Sequence, residues 1–202
     1  MNFSTSIKTL LAASVAALVA NSAMAADGTI NFTGEITAAS CNITGGTGTG
    51  VTGDRGSQVI DVQMGTVSID SLNGTQNGGI AAGRTINLNL DCGATGTGLT
   101  HVALRFDAIS GSGLDANNNE LLRTTGTAEG VGIGLFHING TRINLANSGD
   151  VFESELVNGG DEDNPAYTAN LALRAAYVAS GAIGNVTPGT ANGTLPFTLT
   201  YR

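Results

Sequence analysis

Lysine is all but missing from this chain: Lys8 is the only one in 202 residues, and it falls within the leading apolar stretch. Past that stretch there is no amine for Schiff-base chemistry and none for a lysine isopeptide cross-link. Basic residues are scarce altogether, 8 against 16 acidic ones, so a basic groove for nucleic acid is excluded. Histidine occurs twice, His101 and His137, each alone in its segment; there is no HExxH, no histidine pair for a metal and no GxSxG. A lone histidine of this kind reads as a packed or solvated side chain, and the scattered acidic residues nominate no glycosidase pair. No CxxC is present, which removes the usual redox motif. These absences point away from an enzyme and call for neither cofactor nor metal.

What is present begins with Lys8, an apolar run reaching Ala20, and Ala23-Met24-Ala25 in the small-x-small pattern of a signal-peptidase site. Residues 1–25 are read as a secretory signal, too short to span a membrane, with the mature chain starting near Ala26 and not inserted in a membrane. Removing Lys8 with the signal leaves seven arginines against 16 acidic residues, a mature net charge of −9. Thirty glycines and 12% charged residues, beside 41% hydrophobic ones, describe a turn-rich β protein and not a disordered chain. Two cysteines in an exported chain, Cys41 and Cys92, most simply form one disulfide, contributing about 4 kcal/mol by the chain-entropy relation.

Alternation of period two marks the strands. It runs through Val59 to Val67, with Ile60, Val62 and Met64 on one parity, and through Thr85 to Cys92, with Ile86, Leu88, Leu90 and Cys92 inward. His101 to Ala108 and Val131 to Ile138 follow, and Asn139-Gly140 predicts a two-residue hairpin into Thr141 to Leu145. Asn170 to Ala179 and the closing Leu195, Phe197, Leu199 and Tyr201 complete the set. Thr44 to Gly56 reads as a loop or insertion, and its Gly48-x-Gly50-x-x-Gly53 lacks the strand and helix of a dinucleotide site. Asp115 to Glu120 reads as a solvated turn without the glycine and spaced glutamate of a calcium loop. Glu153 to Pro165 reads as an exposed acidic loop. With no helical pattern after the signal, the fold expected is an antiparallel β-sandwich of one domain.

One stretch fits no place in that sandwich. In Asp27 to Cys41, Ile30, Phe32, Ile36 and Ala38 share one parity, polar residues hold the other, and Gly34 fills the one gap in the apolar row. A segment between a signal and a cysteine has nothing upstream to pair with, and an isolated strand is unstable in water. It is expected to join the sheet of another copy.

Three features together resemble the subunits of chaperone/usher fimbriae, and the major pilins of type 1 pili in particular. They are Gly28-Thr29-Ile30-Asn31-Phe32-Thr33-Gly34-Glu35-Ile36 leading to Ala39-Ser40-Cys41; Gly130 to Leu145 with Leu173-Arg174-Ala175-Ala176-Tyr177-Val178-Ala179; and a C-terminal segment with Gly189 fourteenth from the end and Tyr201 penultimate. The long Gly/Thr insertion after Cys41 and Pro196 in the last strand depart from that pattern. The resemblance implies an all-β, incomplete immunoglobulin-like sandwich completed by donor-strand exchange. Residues 26–39 would be the donor extension (Ile30, Phe32, Gly34, Ile36, Ala38) and residues 40–202 the pilin domain. It implies a groove beside the last strand where a periplasmic chaperone binds, at Gly189, Leu195, Phe197, Leu199, Tyr201 and the terminal Arg202. It also implies transfer at an outer-membrane usher to identical or related pilin subunits, in a fimbrium on the cell surface that supports adhesion. The competing expectation is a binding protein: a minor adaptor or tip subunit, or a secreted carbohydrate-binding module.

Overall fold

The computed structural model describes residues 41–80 and 83–202. The signal, the extension 26–39 and its candidates Ile30, Phe32, Gly34, Ile36 and Ala38 lie outside the described residues. The described chain forms twelve strands: β1 (Asn42–Gly45), β2 (Thr49–Thr52), β3 (Val59–Val62), β4 (Arg84–Gly93), β5 (His101–Phe106), β6 (Leu122–Arg123), β7 (Val131–His137), β8 (Arg142–Ile143), β9 (Phe152–Glu155), β10 (Val157–Asn158), β11 (Tyr167–Ala179) and β12 (Phe197–Tyr201). Among the described residues the only helical pieces are four short 3-10 turns.

The larger sheet runs β1-β4-β11-β7-β6, with β10 beside β11 and β8 beside β7; the smaller one runs β12-β5-β9; β2 and β3 form a separate hairpin. Every pairing is antiparallel. Alternation explains the inner face: Ile86, Leu88, Leu90 and Cys92 of β4 and Leu171, Leu173 and Ala175 of β11 are buried, and they meet Val102 and Leu104 of β5 from the facing sheet. Register sets the disulfide. Asn42 lies opposite Asp91, so Cys41 falls beside Cys92, and the two are bonded. After β9 the chain leaves the smaller sheet through buried Leu156 and joins the larger one as β10.

Four sequence expectations change. The Asn139-Gly140 hairpin has a three-residue loop: Gly140 N–H donates to the His137 carbonyl at 2.9 Å, and His137 N–H donates to the Thr141 carbonyl at 2.8 Å. Only Gly140 has positive φ there, whereas a two-residue type I′ turn needs it at both central residues. Thr44 to Gly56 is not merely a loop, because β2 pairs with β3 between the left-handed glycines Gly48 and Gly53. Glu153 and Glu155 belong to β9, leaving only the later part of the acidic stretch as an exposed loop. Finally, β7 is buried on both faces and not one, since Leu121, Phe136, Ala176 and Val178 form a second cluster under Ile80 on the outside of the sheet. A Cβ at Gly132 would come within 2.9 Å of Leu121, and one at Gly134 within 2.9 Å of the Phe136 ring, so the glycines of β7 make room for that cover.

Candidate functional site

The site grows from the last strand. On one side β12 pairs with β5, Phe197 opposite Phe106, Leu199 opposite Leu104 and Tyr201 opposite Val102. Arg202 and His101 exchange both main-chain bonds, at 3.0 and 2.8 Å, and Asp107 N–H donates to the Pro196 carbonyl at 2.9 Å. Bonded and non-bonded pairs alternate in an antiparallel ladder. The main chain of residues 196, 198, 200 and 202 is therefore turned toward β5, and that of Phe197, Leu199 and Tyr201 toward the opposite edge. Among the described residues no strand pairs with that edge. Pro196 precedes the strand, and its missing N–H falls on the β5 side, so the proline takes nothing from the open edge.

The side chains of Phe197, Leu199 and Tyr201 are half-buried while Thr198 and Thr200 are exposed. The three apolar residues, with Leu195, form one wall of a cavity of about 1190 Å³. Its floor is the inner face of the larger sheet, including Ile86 and Leu88 of β4, Leu173 and Ala175 of β11, and Ile133 and Leu135 of β7. The second wall is the stretch from Gly56 to Gly65 that carries β3, with Ile60, Val62 and Met64 toward the core. Among the described residues β3 is paired only with β2, and β2 takes no part in the lining, so β3 stands at the groove with its hairpin partner behind it. Gln58 anchors this wall: its side-chain carbonyl accepts from Ile43 N–H at 2.8 Å and its amide donates to the Ile43 carbonyl at 2.7 Å, mimicking one residue of a pairing strand.

Both ends of the groove are tied. At one end the Tyr201 hydroxyl accepts from Cys41 N–H at 2.9 Å. Burial raises the Tyr201 pKa, opposed by that hydrogen bond and by the Arg55 charge. At the other end Tyr177 donates to the Ala191 carbonyl at 2.6 Å, and burial raises its pKa as well. Of the residues expected at the groove, Leu195, Phe197, Leu199 and Tyr201 line it and Gly189 and Arg202 do not. A Cβ on Gly189 would come within 2.5 Å of the Thr127–Ala128 main chain. Arg202 pairs with Glu153 at 2.6 Å, and its carbonyl accepts from the N–H groups of Thr100 and His101. The floor residues and Gln58 were not singled out from sequence; the alternation identified strands but not which of them share a cavity.

Among the described residues the chain is an all-β, immunoglobulin-like sandwich whose β12 keeps one edge unpaired beside a cavity floored by buried core side chains, the architecture of a structural subunit. The profile of the Fimbrial protein family matches residues 30–202, and the chain belongs to that family. It is 31% identical to a type-1 fimbrial protein subunit of Serratia marcescens over 198 residues, 95% of this chain and 96% of that one. It is 30% identical to the type-1 fimbrial protein A chain of Escherichia coli strain K12, over 87% of this chain and 84% of that one. Among solved structures, the P pilus rod subunit PapA aligns with a TM-score of 0.47 and 22% identity, over 86% of this chain and 100% of that one. The protein is thus a structural fimbrial subunit and not an enzyme, and its place is in surface fimbriae with other pilin subunits.

Proposed function

We propose that the groove takes the leading segment of another copy, Ile30, Phe32, Gly34, Ile36 and Ala38 entering beside β12, and that repetition of this step builds the fimbrium. The observation that carries the reading is the edge of β12, where main-chain groups that no described strand pairs and half-buried Phe197, Leu199 and Tyr201 coincide. An extended segment adds main-chain hydrogen bonds to such an edge while its alternate side chains fill the cavity. Burying Ile30, Phe32 and Ile36, with several main-chain bonds, contributes on the order of 10 kcal/mol before the cost of ordering the segment. Segment and groove are different surfaces, so the contact is heterologous and extends into a filament. Gly34 fixes the register, because a shift by one residue would turn Asn31 and Thr33 inward.

An open apolar groove is an aggregation hazard in transit. A periplasmic chaperone lending a strand to β12, and an outer-membrane usher where that strand is exchanged, are the partners this hazard calls for. The test is assembly by the mature chain carrying Phe32→Asp and Ile36→Asp. The expected product is a folded, disulfide-bonded subunit that forms no filaments; filaments as stable as those of the unaltered chain would overturn the reading.

A further inference from the structure

We infer that the turn Asp107 to Gly113, with Ile109 at its tip, is the seat on which the body of the donating copy rests; the inference builds on the groove-filling reading above. Only two residues, Ala39 and Ser40, separate Ala38, the last of the donated row, from Cys41, which begins the described body, a gap of three Cα-to-Cα steps. At 3.3–3.6 Å per residue the donating body can stand no more than about 10 Å from the point where its segment leaves the groove. It must therefore lie against one of the groove's two ends. Strand pairing alone does not choose between them. The start of β3 lies by Ile43 through Gln58, and Gly65, past its end, lies by Arg84, whose partner is Ala175, so β3 and β12 run in opposite directions. A strand laid between them is antiparallel to one and parallel to the other in either orientation.

Crowding makes the choice. Cys41 sits at the Tyr201 end, bonded to the Tyr201 hydroxyl, so each subunit's own leading segment departs there toward the next subunit. A second body cannot occupy the same end. The incoming segment therefore runs antiparallel to β12 and leaves at the Leu195 end, where the turn Asp107 to Gly113 is built onto the start of the last strand. Ser112 N–H donates to the Thr194 carbonyl at 2.9 Å, Thr194 N–H donates to the Ser112 hydroxyl at 2.8 Å, and a Cβ on Gly111 would collide with the Thr194 carbonyl. The Asp107 carboxylate accepts from Ser110 N–H and hydroxyl, bonds that lower its pKa and close the turn. On this braced turn Ile109 is 81% exposed, more than any other large apolar side chain among the described residues. An ordered isoleucine held in water beside the exit is suited to bury against a second copy of this chain.

The experiment uses the mature chain, whose two cysteines are already paired, so Ile109→Cys introduces a single thiol. Its maleimide labelling is compared in filaments and in the unassembled protein, and hydrogen exchange at the Phe197, Leu199 and Tyr201 amides is followed in the same filaments. Labelling about tenfold slower in filaments, with those amides protected, is the expected result, and Ile109→Asp filaments should dissociate about tenfold faster while Ile109→Val filaments do not. Protected amides with unchanged labelling would remove the seat and leave strand donation standing. Unprotected amides would overturn strand donation, and the seat with it. If the thiol variant does not fold, equal dissociation of the aspartate and valine filaments sinks the seat.

Discussion

The Tyr201 hydroxyl and the Cys41 main-chain N–H meet at 2.9 Å, 160 residues apart in sequence, and so join the last strand to the root of the first across one end of the groove. Tyr201→Phe keeps the ring that lines the cavity and strips the acceptor from a partly buried N–H. The expected cost is about 1 kcal/mol, seen as a lower urea midpoint with an unchanged denaturant slope. A midpoint equal to that of the unaltered protein would mean that water replaces the hydroxyl without loss.

The Cys41–Cys92 bond joins adjacent strands of the larger sheet and closes a separation of 51 residues. Cys41 also lines the groove. Replacing both cysteines by alanine is expected to lower stability by about 4 kcal/mol, measured by urea unfolding. Because Cys41 also anchors Tyr201, the double variant should lose protection from hydrogen exchange first at the Tyr201 end of β12.

Strand periodicity carried much of this architecture. The inward rows Ile86, Leu88, Leu90, Cys92 and Leu171, Leu173, Ala175 are buried as their alternation requires, and Phe197, Leu199 and Tyr201 line the groove as a wall of matching parity. The floor was hidden because it is assembled from β4, β7 and β11, whose neighbourhood is set by long-range pairing that no local pattern encodes. β2 was hidden for a different reason. Its Thr-Gly-Val-Thr has almost no apolar signal, and it is a strand because β3 lies opposite it with Gly48 and Gly53 supplying the left-handed corners. Burial of β7 on its second face follows from Ile80 and Leu121, which come from distant segments and leave no trace in the alternation of β7 itself.

Arg142 fastens the outer cover of the larger sheet. Its guanidinium pairs with Glu120 at 3.3 Å, donates to the Thr75 carbonyl at 3.2 Å and lies 5.6 Å from the centre of the Phe136 ring. Thr75 in turn receives the Ala179 N–H on its hydroxyl at 3.0 Å, so the arginine links the 3-10 turn at Thr75–Asn77 to β8 and β11. Arg142→Ala is expected to cost about 2 kcal/mol, through the lost charged bond to the Thr75 carbonyl, which keeps only the Gly78 N–H, and the lost cover over Phe136. Glu120→Gln should cost under about 1 kcal/mol, because Glu120 keeps 44% of its side chain exposed and water screens the pair. Thermal unfolding of the two variants separates the contributions, and equal losses would assign the effect to the ion pair.

Alkaline pH should loosen both ends of the groove. Burial raises the pKa of Tyr177 and of Tyr201 above the ordinary tyrosine value of about 10. In the unfolded chain the phenols lose their protons first, so between the unfolded and folded pKa the native state holds more protons and unfolding becomes easier as pH rises. The contribution is complete below about pH 10 and is lost as pH climbs through the folded values. Deprotonated Tyr177 also cannot donate to the Ala191 carbonyl, whereas deprotonated Tyr201 still accepts from Cys41. The urea midpoint should therefore fall as pH rises above about 10, and Tyr177→Phe should flatten that fall more than Tyr201→Phe does. An equal flattening by the two variants would show that desolvation alone, and not the Tyr177 bond, sets the alkaline limit.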